Sequence, residues 1–195
     1  MFKKYFIILI LFLCLNFNEN KQNFKIISTY LNKLNSLSAN FIQVNQNGEH
    51  SNGKIRIEKP GKIRIDFEDN NKSLIGDGRK IALINKKFSQ ITYYNYDQIP
   101  LKVLLSTEFS LESFIVKDFV DYENIIEIEL SENNTKNNGS IRLIFENNPL
   151  KLKKWIVNEF NGGKIEIFLS NLEVNKKMNN NFFRIESPKK LDFNK

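Results

Sequence analysis

The sequence is poor in the residue types that most often carry catalysis or bind metals. Its 195 residues include one cysteine, Cys14, and one histidine, His50. A single histidine cannot complete a histidine metal site or a catalytic triad, and a single cysteine forms no disulfide within its own chain. Walker and dinucleotide-binding glycine patterns are missing too, because "GDGRK" at 76–80 follows one strand-like segment and opens another. These absences predict a binding protein without a cofactor, and not an enzyme.

Long apolar runs are also missing, apart from one at the N-terminus. Lys3 and Lys4 are followed by an apolar run from Tyr5 to Leu15. This run has the length of a signal-peptide core and is too short to span a bilayer. We therefore expect residues 1–20 to be a signal peptide that directs export, and residues 21–195 to form a single domain.

The lone cysteine lies near the end of this apolar run. In a lipid-anchored protein it would become the first mature residue, preceded by small residues, but Phe12 and Leu13 precede Cys14 here. Removal of the signal peptide would leave a mature chain without cysteine, and with no thiol chemistry or cysteine-based metal site. A lipid anchor on Cys14 is the alternative.

The periodicity of the apolar residues predicts one helix followed by many strands. From Phe24 to Leu37 they recur at helical spacing, which predicts an amphipathic helix. Alternation with a period of two then dominates, and short polar turns separate the segments, which is typical of a curved or closed antiparallel sheet. About ten such segments occur, at Phe41 to Val44, Ile55 to Ile57, Ile63 to Phe67, Ile81 to Ile84, Ile91 to Tyr94, Ile126 to Leu130, Ile141 to Phe145, Trp155 to Phe160, Ile165 to Leu169 and Phe183 to Ile185.

One interval, "IPLKVLLSTEFSLESF" at 99–114, does not alternate. Pro100 suits the first turn of a helix, and Leu101, Leu104 and Leu105 follow at helical spacing. We predict one or two short helices that lie against the sheet. These helices either complete an ordinary packed core or form a lid over a cavity for an apolar ligand, and the residues alone leave both options open.

Six motifs follow one another along the chain in an order that is typical of one family. They are "LNKLNSLSANFIQ", "GKIRIEKPGKIRIDFE", "SLIGDGRKIALI", "FSQITYY", "IPLKVLL" and "LKKWIVNEFNGGKIEIFLSNLEVNKKMNNNFFRIESP". Their order resembles that of the periplasmic lipoprotein carrier family LolA and the related outer-membrane receptor LolB. The resemblance implies a mainly β fold with helices (α+β), an incomplete antiparallel β-barrel of about ten or eleven strands covered by an N-terminal helix and short lid helices. Asn158 is a departure, because the family often has an acidic residue there.

The resemblance also implies a function and a set of partners. A LolA-like protein is a monomeric carrier in the periplasm that binds the acyl chains of lipoproteins in an apolar cavity. It takes its cargo from an inner-membrane ABC transporter and delivers it to a LolB-like acceptor, or to the outer membrane itself. The alternative within the superfamily is a LolB-like receptor anchored at Cys14.

The stretch "GKIRIEKPGKIRIDFE" at 53–68 contains the candidate latch. Counting in twos from Ile55 and Ile57 reaches Lys59, which is therefore predicted to project toward the apolar side of the sheet. The LolA family typically has an arginine before this proline, and that arginine bonds to backbone carbonyls of the lid. The resemblance thus implies that Lys59 is the lid latch, and a weaker one, because lysine lacks the planar fork of arginine. In the alternative, Lys59 extends to the rim of the sheet and has no further role.

Strand parity, together with position in the LolA family, indicates nine candidate residues for the cavity. They are expected to line the site for acyl chains, although any of them could be plain core. The set consists of Phe41, Ile55, Ile57, Ile63, Ile65, Phe67, Leu101, Leu104 and Leu105.

A basic domain that binds nucleic acid or an acidic polymer is the alternative from a different class. The net charge is +7, and the segment "KKFSQITYYNYDQ" at 86–98 combines lysines with exposed-looking aromatics. No RNP or OB motif accompanies this segment, and export argues against a nucleic-acid partner. We therefore expect no binding of nucleic acid.

Overall fold

The computed structural model describes residues 24–96, 101–133 and 139–186. The proposed signal peptide at 1–20, the possible lipid anchor at Cys14 and the helix-starting Pro100 lie outside these ranges.

A single antiparallel sheet of eleven strands forms most of the described structure. Its strand order is β6-β5-β4-β3-β2-β1-β11-β10-β9-β8-β7. Within the described part of the chain, β6 and β7 each have one neighbour, so the sheet is open. The strands are β1 (Ser36–Asn45), β2 (His50–Glu58), β3 (Lys62–Phe67), β4 (Lys72–Asp77), β5 (Ile81–Asn85), β6 (Gln90–Tyr94), β7 (Phe114–Tyr122), β8 (Ile125–Glu132), β9 (Ser140–Glu146), β10 (Lys151–Asn158) and β11 (Lys164–Val174). The predicted mainly β fold with an incomplete antiparallel barrel is confirmed.

Helix α1 covers residues 24–33 and lies on the apolar side of the sheet. The Lys59 ammonium, directly after β2, bonds to the carbonyl of Leu31 in α1, and the ring of Phe24 at the other end of α1 is 6.3 Å from that of Phe119 in β7. Strands β2 and β7 are six positions apart, which would be roughly 29 Å in a flat sheet. A ten-residue helix is only about 15 Å long. The sheet must therefore curl around α1, and its concave side encloses the helix.

The predicted end of the first helix, Leu37, was wrong. The helix ends at residue 33, and β1 begins at Ser36. Leu37 pairs with Ile57 in β2 and with Val174 in β11, so it belongs to the sheet on both sides. Since Leu37 is fully buried there, pairing with two strands outweighs the helical spacing that continues through this leucine.

The interval at 99–114 forms two short helices within its described residues, as predicted. Helix α2 (Lys102–Leu105) is a single turn with buried Val103, Leu104 and Leu105, and a 3-10 helix (Leu111–Ser113) leads directly into β7. Lys102 forms an ion pair of 3.0 Å with Glu132 at the end of β8, and the carbonyl of Leu105 accepts from the N–H of Gly61 in the turn after β2. Helix α2 therefore contacts both the β2 side and the β8 side of the sheet.

Alternation misplaced the C-terminal segment. Phe183 and Ile185 were predicted to form a strand, but a 3-10 helix (Asn180–Phe183) forms instead. Ile185 packs against a small cluster that includes Ile75 and Ile84, separate from the main core. This segment lies across the outer face of the sheet, where the Arg56 guanidinium of β2 contacts the Phe182 ring. A spacing of two between apolar residues is therefore not specific to a strand.

An ionic network joins four neighbouring strands. Arg142 in β9 pairs with Asp118 in β7 at 2.9 Å and with Glu127 in β8 at 3.2 Å, and it also binds Glu129 in β8. Asn158 in β10 donates to Glu129 at 3.3 Å. An acidic residue at this position, as the LolA-like pattern often has, would add a fourth carboxylate around one guanidinium, so asparagine suits this network.

Candidate functional site

Lys59 reaches from the end of β2 to the C-terminal end of α1. Its Nζ donates to the carbonyl oxygen of Leu31 at 2.8 Å, and its backbone N–H donates to the carbonyl of Asn35, also at 2.8 Å. The N–H of Asn35, the usual helical partner of the Leu31 carbonyl, instead donates to the Asn175 side chain at 2.8 Å. The Leu31 carbonyl is thus one of the acceptors left open at a helix end, where the helix dipole also favours a cation.

Burial makes the charge on Lys59 costly. Removal from water lowers the pKa of the Lys59 ammonium from 10.5 to about 8. Near neutral pH Lys59 is therefore a charged group whose burial destabilises the folded state. The neutral amine that forms above about pH 8 can still donate a hydrogen bond to the Leu31 carbonyl.

We expect the stability of the folded protein to increase with pH through this titration. The unfolded chain keeps its proton up to about 10.5 while the folded chain loses it near 8, so the free energy of unfolding should rise between these values. Urea unfolding of the wild type and of Lys59→Arg between pH 7 and 10 measures this. The wild type should gain stability relative to Lys59→Arg, whose guanidinium stays charged, and a constant or falling difference would contradict the burial of Lys59.

The turn that carries Lys59 also binds α2. The N–H of Gly61 donates to the carbonyl of Leu105, the last residue of α2, at 2.9 Å. Gly61 has a φ of +68°, a conformation that glycine adopts without strain. The turn at 59–61 thus contacts both helices that cover the concave side.

The nine candidate cavity residues come together in one cluster. Those in β1 to β3 and those around α2 join Ile27 and Leu31 of α1 in the main core. Ile65 and Phe67 are half-buried and pack against it, and the Phe67 ring meets Phe41 edge-on at 5.5 Å. The fully or nearly fully buried members of the set are Phe41, Ile55, Ile57, Ile63, Leu101, Leu104 and Leu105.

The far wall of the interior was not among the candidate residues. Ile126, Ile128 and Leu130 of β8, Leu143 of β9 and Trp155 of β10 are buried in the same cluster. Their alternation was visible in the sequence, and extending the parity count to the second half of the chain would have found them. Ile27 and Leu31 of α1 and Leu104 of α2 belong to the same cluster as both walls.

The basic aromatic segment does not present one continuous surface. Phe88 and Tyr93 are exposed, and Lys80 lies 5.0 Å from the Tyr93 ring. Tyr96 is half-buried instead, and its hydroxyl is bonded to backbone groups of two turns.

The described residues offer no other arrangement with evident chemistry. His50 is exposed at the start of β2, and no group of three or more metal-ligating side chains occurs in the ranges that the structure describes. None of the helices in these ranges is long and apolar enough to cross a membrane.

An open antiparallel sheet that curls around an apolar interior, with two short helices packed against that interior, defines an incomplete β-barrel. The chain belongs to the family described as outer membrane lipoprotein carrier protein LolA, whose profile matches residues 32–186. Members of this family are periplasmic proteins that bind lipoproteins as carriers and are not enzymes. Membership therefore supports a carrier-like binding role for this chain.

The solved structures that this chain resembles are distant from it in sequence. A DUF1329 family protein from Desulfovibrio piger is 8% identical with a TM-score of 0.53, and the match covers 82% of this chain and 93% of that one. A LolA superfamily protein from Nitrosomonas europaea is 6% identical with a TM-score of 0.46, covering 83% and 97% of the two chains. No curated protein matches the sequence. The first of these structures supports the fold alone.

Proposed function

We propose that this protein carries lipoproteins through the periplasm with their acyl chains held in the concave interior of the sheet. It would accept them from an inner-membrane ABC transporter and deliver them to a LolB-like acceptor or to the outer membrane. The observation that carries the proposal is the closure of an apolar interior by α1 and α2, both of which bond to the turn at 59–61, α1 through Lys59 and α2 through Gly61.

The energetics suit a carrier without an energy source. Each methylene removed from water contributes about 0.8 kcal/mol, so partial burial of a few acyl chains suffices to hold a lipoprotein in solution. Opening the lid costs its hydrogen bonds, about 1 kcal/mol each. Cargo then moves to any acceptor whose cavity is more favourable, and the strength of the latch sets how readily loading and release occur.

A receptor of the LolB type anchored at Cys14 is the alternative within the family's fold. Metabolic labelling with a fatty acid separates the two roles, because label on Cys14 would indicate an anchored receptor, and its absence would favour the soluble carrier.

Photo-crosslinking at two adjacent positions of β1 tests where the acyl chains bind. Phe41 is 3% exposed and faces the interior, whereas Ile42 is 52% exposed and faces outward. With p-benzoylphenylalanine at one position or the other, a triacylated lipopeptide should crosslink at position 41 at least about tenfold more than at position 42, because neighbouring strand residues point to opposite faces. The unacylated peptide is the control, and equal crosslinking at both positions would contradict the proposed site.

A further inference from the structure

The backbone of Gly61 bonds both to the last residue of α2 and to the side chain of Tyr96. The N–H of Gly61 donates to the carbonyl of Leu105 at the end of α2. The carbonyl of Gly61 accepts a hydrogen bond from the hydroxyl of Tyr96, which precedes α2 in the chain. The same hydroxyl accepts a bond of 2.9 Å from the N–H of Gly78. The phenol of Tyr96 thus links the chain before α2 to two turns of the sheet.

The glycines of the "PG" and "GDG" motifs create the space for this hydroxyl. A Cβ at Gly76 would lie 2.8 Å from the Tyr96 oxygen, closer than real Cβ atoms come. A Cβ at Gly61 would lie 3.1 Å from the Cα of Gly78, so these two turns also approach each other closely. The space around the Tyr96 hydroxyl is therefore bounded by Gly61, Gly76 and Gly78. It explains the glycines of the "GDG" motif, which the carrier function alone does not.

The surroundings of the Tyr96 hydroxyl favour its protonated form, which can donate a hydrogen bond. Burial raises the pKa of Tyr96, and the charge of Asp77 adds to this, although the bond from Gly78 acts in the opposite direction. The phenol therefore stays protonated at neutral pH and can donate to Gly61 while it accepts from Gly78.

The bonds of Tyr96 are distinct from the bond of Lys59. The Lys59 side chain holds α1 through the carbonyl of Leu31, whereas Tyr96 holds the backbone of Gly61, which in turn bonds to the last residue of α2. We infer that Tyr96 is a positioning residue that holds α2 closed over the interior, as a second latch that can release α2 while α1 stays bound. This inference rests on the proposed function, because the role given to α2 is to open for an acyl chain.

Thiol labelling of single-cysteine variants measures the opening of each element separately. Residues 21–195 contain no cysteine, so one introduced thiol reports on its own site. Three fully buried positions suit this purpose, namely Leu104 in α2, Ile27 in α1 and Ile128 in β8. Each is changed to cysteine in the wild type, in Tyr96→Phe and in Tyr93→Phe, where the last variant removes an exposed hydroxyl from the same part of the sheet.

Tyr96→Phe should raise the labelling rate of Leu104→Cys about tenfold, as expected for loss of the two hydrogen bonds of the phenol. The rates at Ile27→Cys and Ile128→Cys should change by less than about twofold. Tyr93→Phe should leave all three rates unchanged. An equal rise at positions 104 and 128 would mean that Tyr96 only stabilises the whole domain, and no rise at 104 would mean that it does not hold α2, so either result would overturn the inference.

Loading of a fluorescent triacylated lipopeptide into the empty protein connects this latch to the cargo. Tyr96→Phe should speed loading several-fold relative to the wild type and to Tyr93→Phe, because α2 must leave its closed position before an acyl chain can enter. Faster labelling at position 104 with an unchanged rate of loading would overturn the link between α2 and the cargo. Lack of lipopeptide binding by the wild type itself would count against the proposed carrier function, while the labelling result would still decide whether Tyr96 holds α2.

Discussion

Lys59→Leu is expected to load with lipopeptide normally and to release it to an acceptor about tenfold more slowly than the wild type. Release is the step in which α1 closes again over the empty interior, and the bond from the Lys59 ammonium to the Leu31 carbonyl forms as it closes. Leucine cannot donate to the Leu31 carbonyl, so the closed state would lose this bond and leave that acceptor without its donor, a loss of about 1–3 kcal/mol. Without this bond the empty closed state is less favourable, so the cargo stays bound. Transfer of a labelled triacylated lipopeptide to acceptor protein or vesicles measures the rate.

Lys59→Arg is the matched control for this experiment. A guanidinium can donate to the same carbonyl and to a neighbouring acceptor, so loading and release should both be retained. If Lys59→Leu transferred its cargo at the wild-type rate, Lys59 would be a rim residue and not a latch.

Arg142→Met is expected to destabilise the domain by about 2 kcal/mol near neutral pH. The guanidinium is three-quarters buried and neutralises Asp118, Glu127 and Glu129 together, so its loss leaves three neighbouring carboxylates without their shared cation. Methionine has a similar length and removes little packing. Urea unfolding at pH 7 measures the loss, and Lys153→Met, which removes an exposed ion pair with Glu146 on the adjacent strand, should cost less than about 0.5 kcal/mol.

The cost of Arg142→Met should shrink as the pH falls. Partial burial raises the pKa of Glu129, but hydrogen bonds from Ser140 and Arg142 outweigh this and hold the pKa below its usual 4.5. A carboxyl group with a lowered pKa stabilises the fold above its unfolded value, and this stabilisation is lost as the pH falls through the folded value. The two proteins should therefore converge in stability below about pH 4.5, and a difference that stayed constant down to pH 3 would show that packing, and not charge, accounts for the effect.

The period-two alternation was sufficient to predict most of the sheet, because one face of each strand is buried against the same core. Strand β7 was missed for a physical reason. A bulge between Val116 and Asp118 interrupts the alternation, and Ile115 and Val116 are exposed at the free edge, so neither face of the strand shows a simple apolar pattern. Among the strands that the structure describes, β7 has one neighbour, so fewer of its side chains are buried than those of a central strand.

The alternation of strand residues predicts the side of the sheet that Lys59 faces, but not the group that it bonds to. Counting in twos was enough to place Lys59 on the apolar side of the sheet. Its partner could not be predicted, because the Leu31 carbonyl is free only where the N–H of Asn35 bonds to Asn175, 140 positions away in sequence. The bonds of Tyr96 likewise depend on the contact between the turns that contain Gly61 and Gly78. The sequence near Tyr96 does not reveal this contact, and the two glycines alone do not predict it.

The measurement that tests the carrier account most directly uses spheroplasts that hold newly made, labelled lipoproteins at their surface. They are incubated with the purified domain of residues 21–195, alongside a carrier known to work with the same spheroplasts. The account predicts label in the supernatant that co-migrates with the protein as a soluble one-to-one complex, with Lys59→Leu releasing as much label as the wild type. If the label stayed with the spheroplasts while the control carrier released it, and the domain also bound no triacylated lipopeptide, the carrier account would be contradicted.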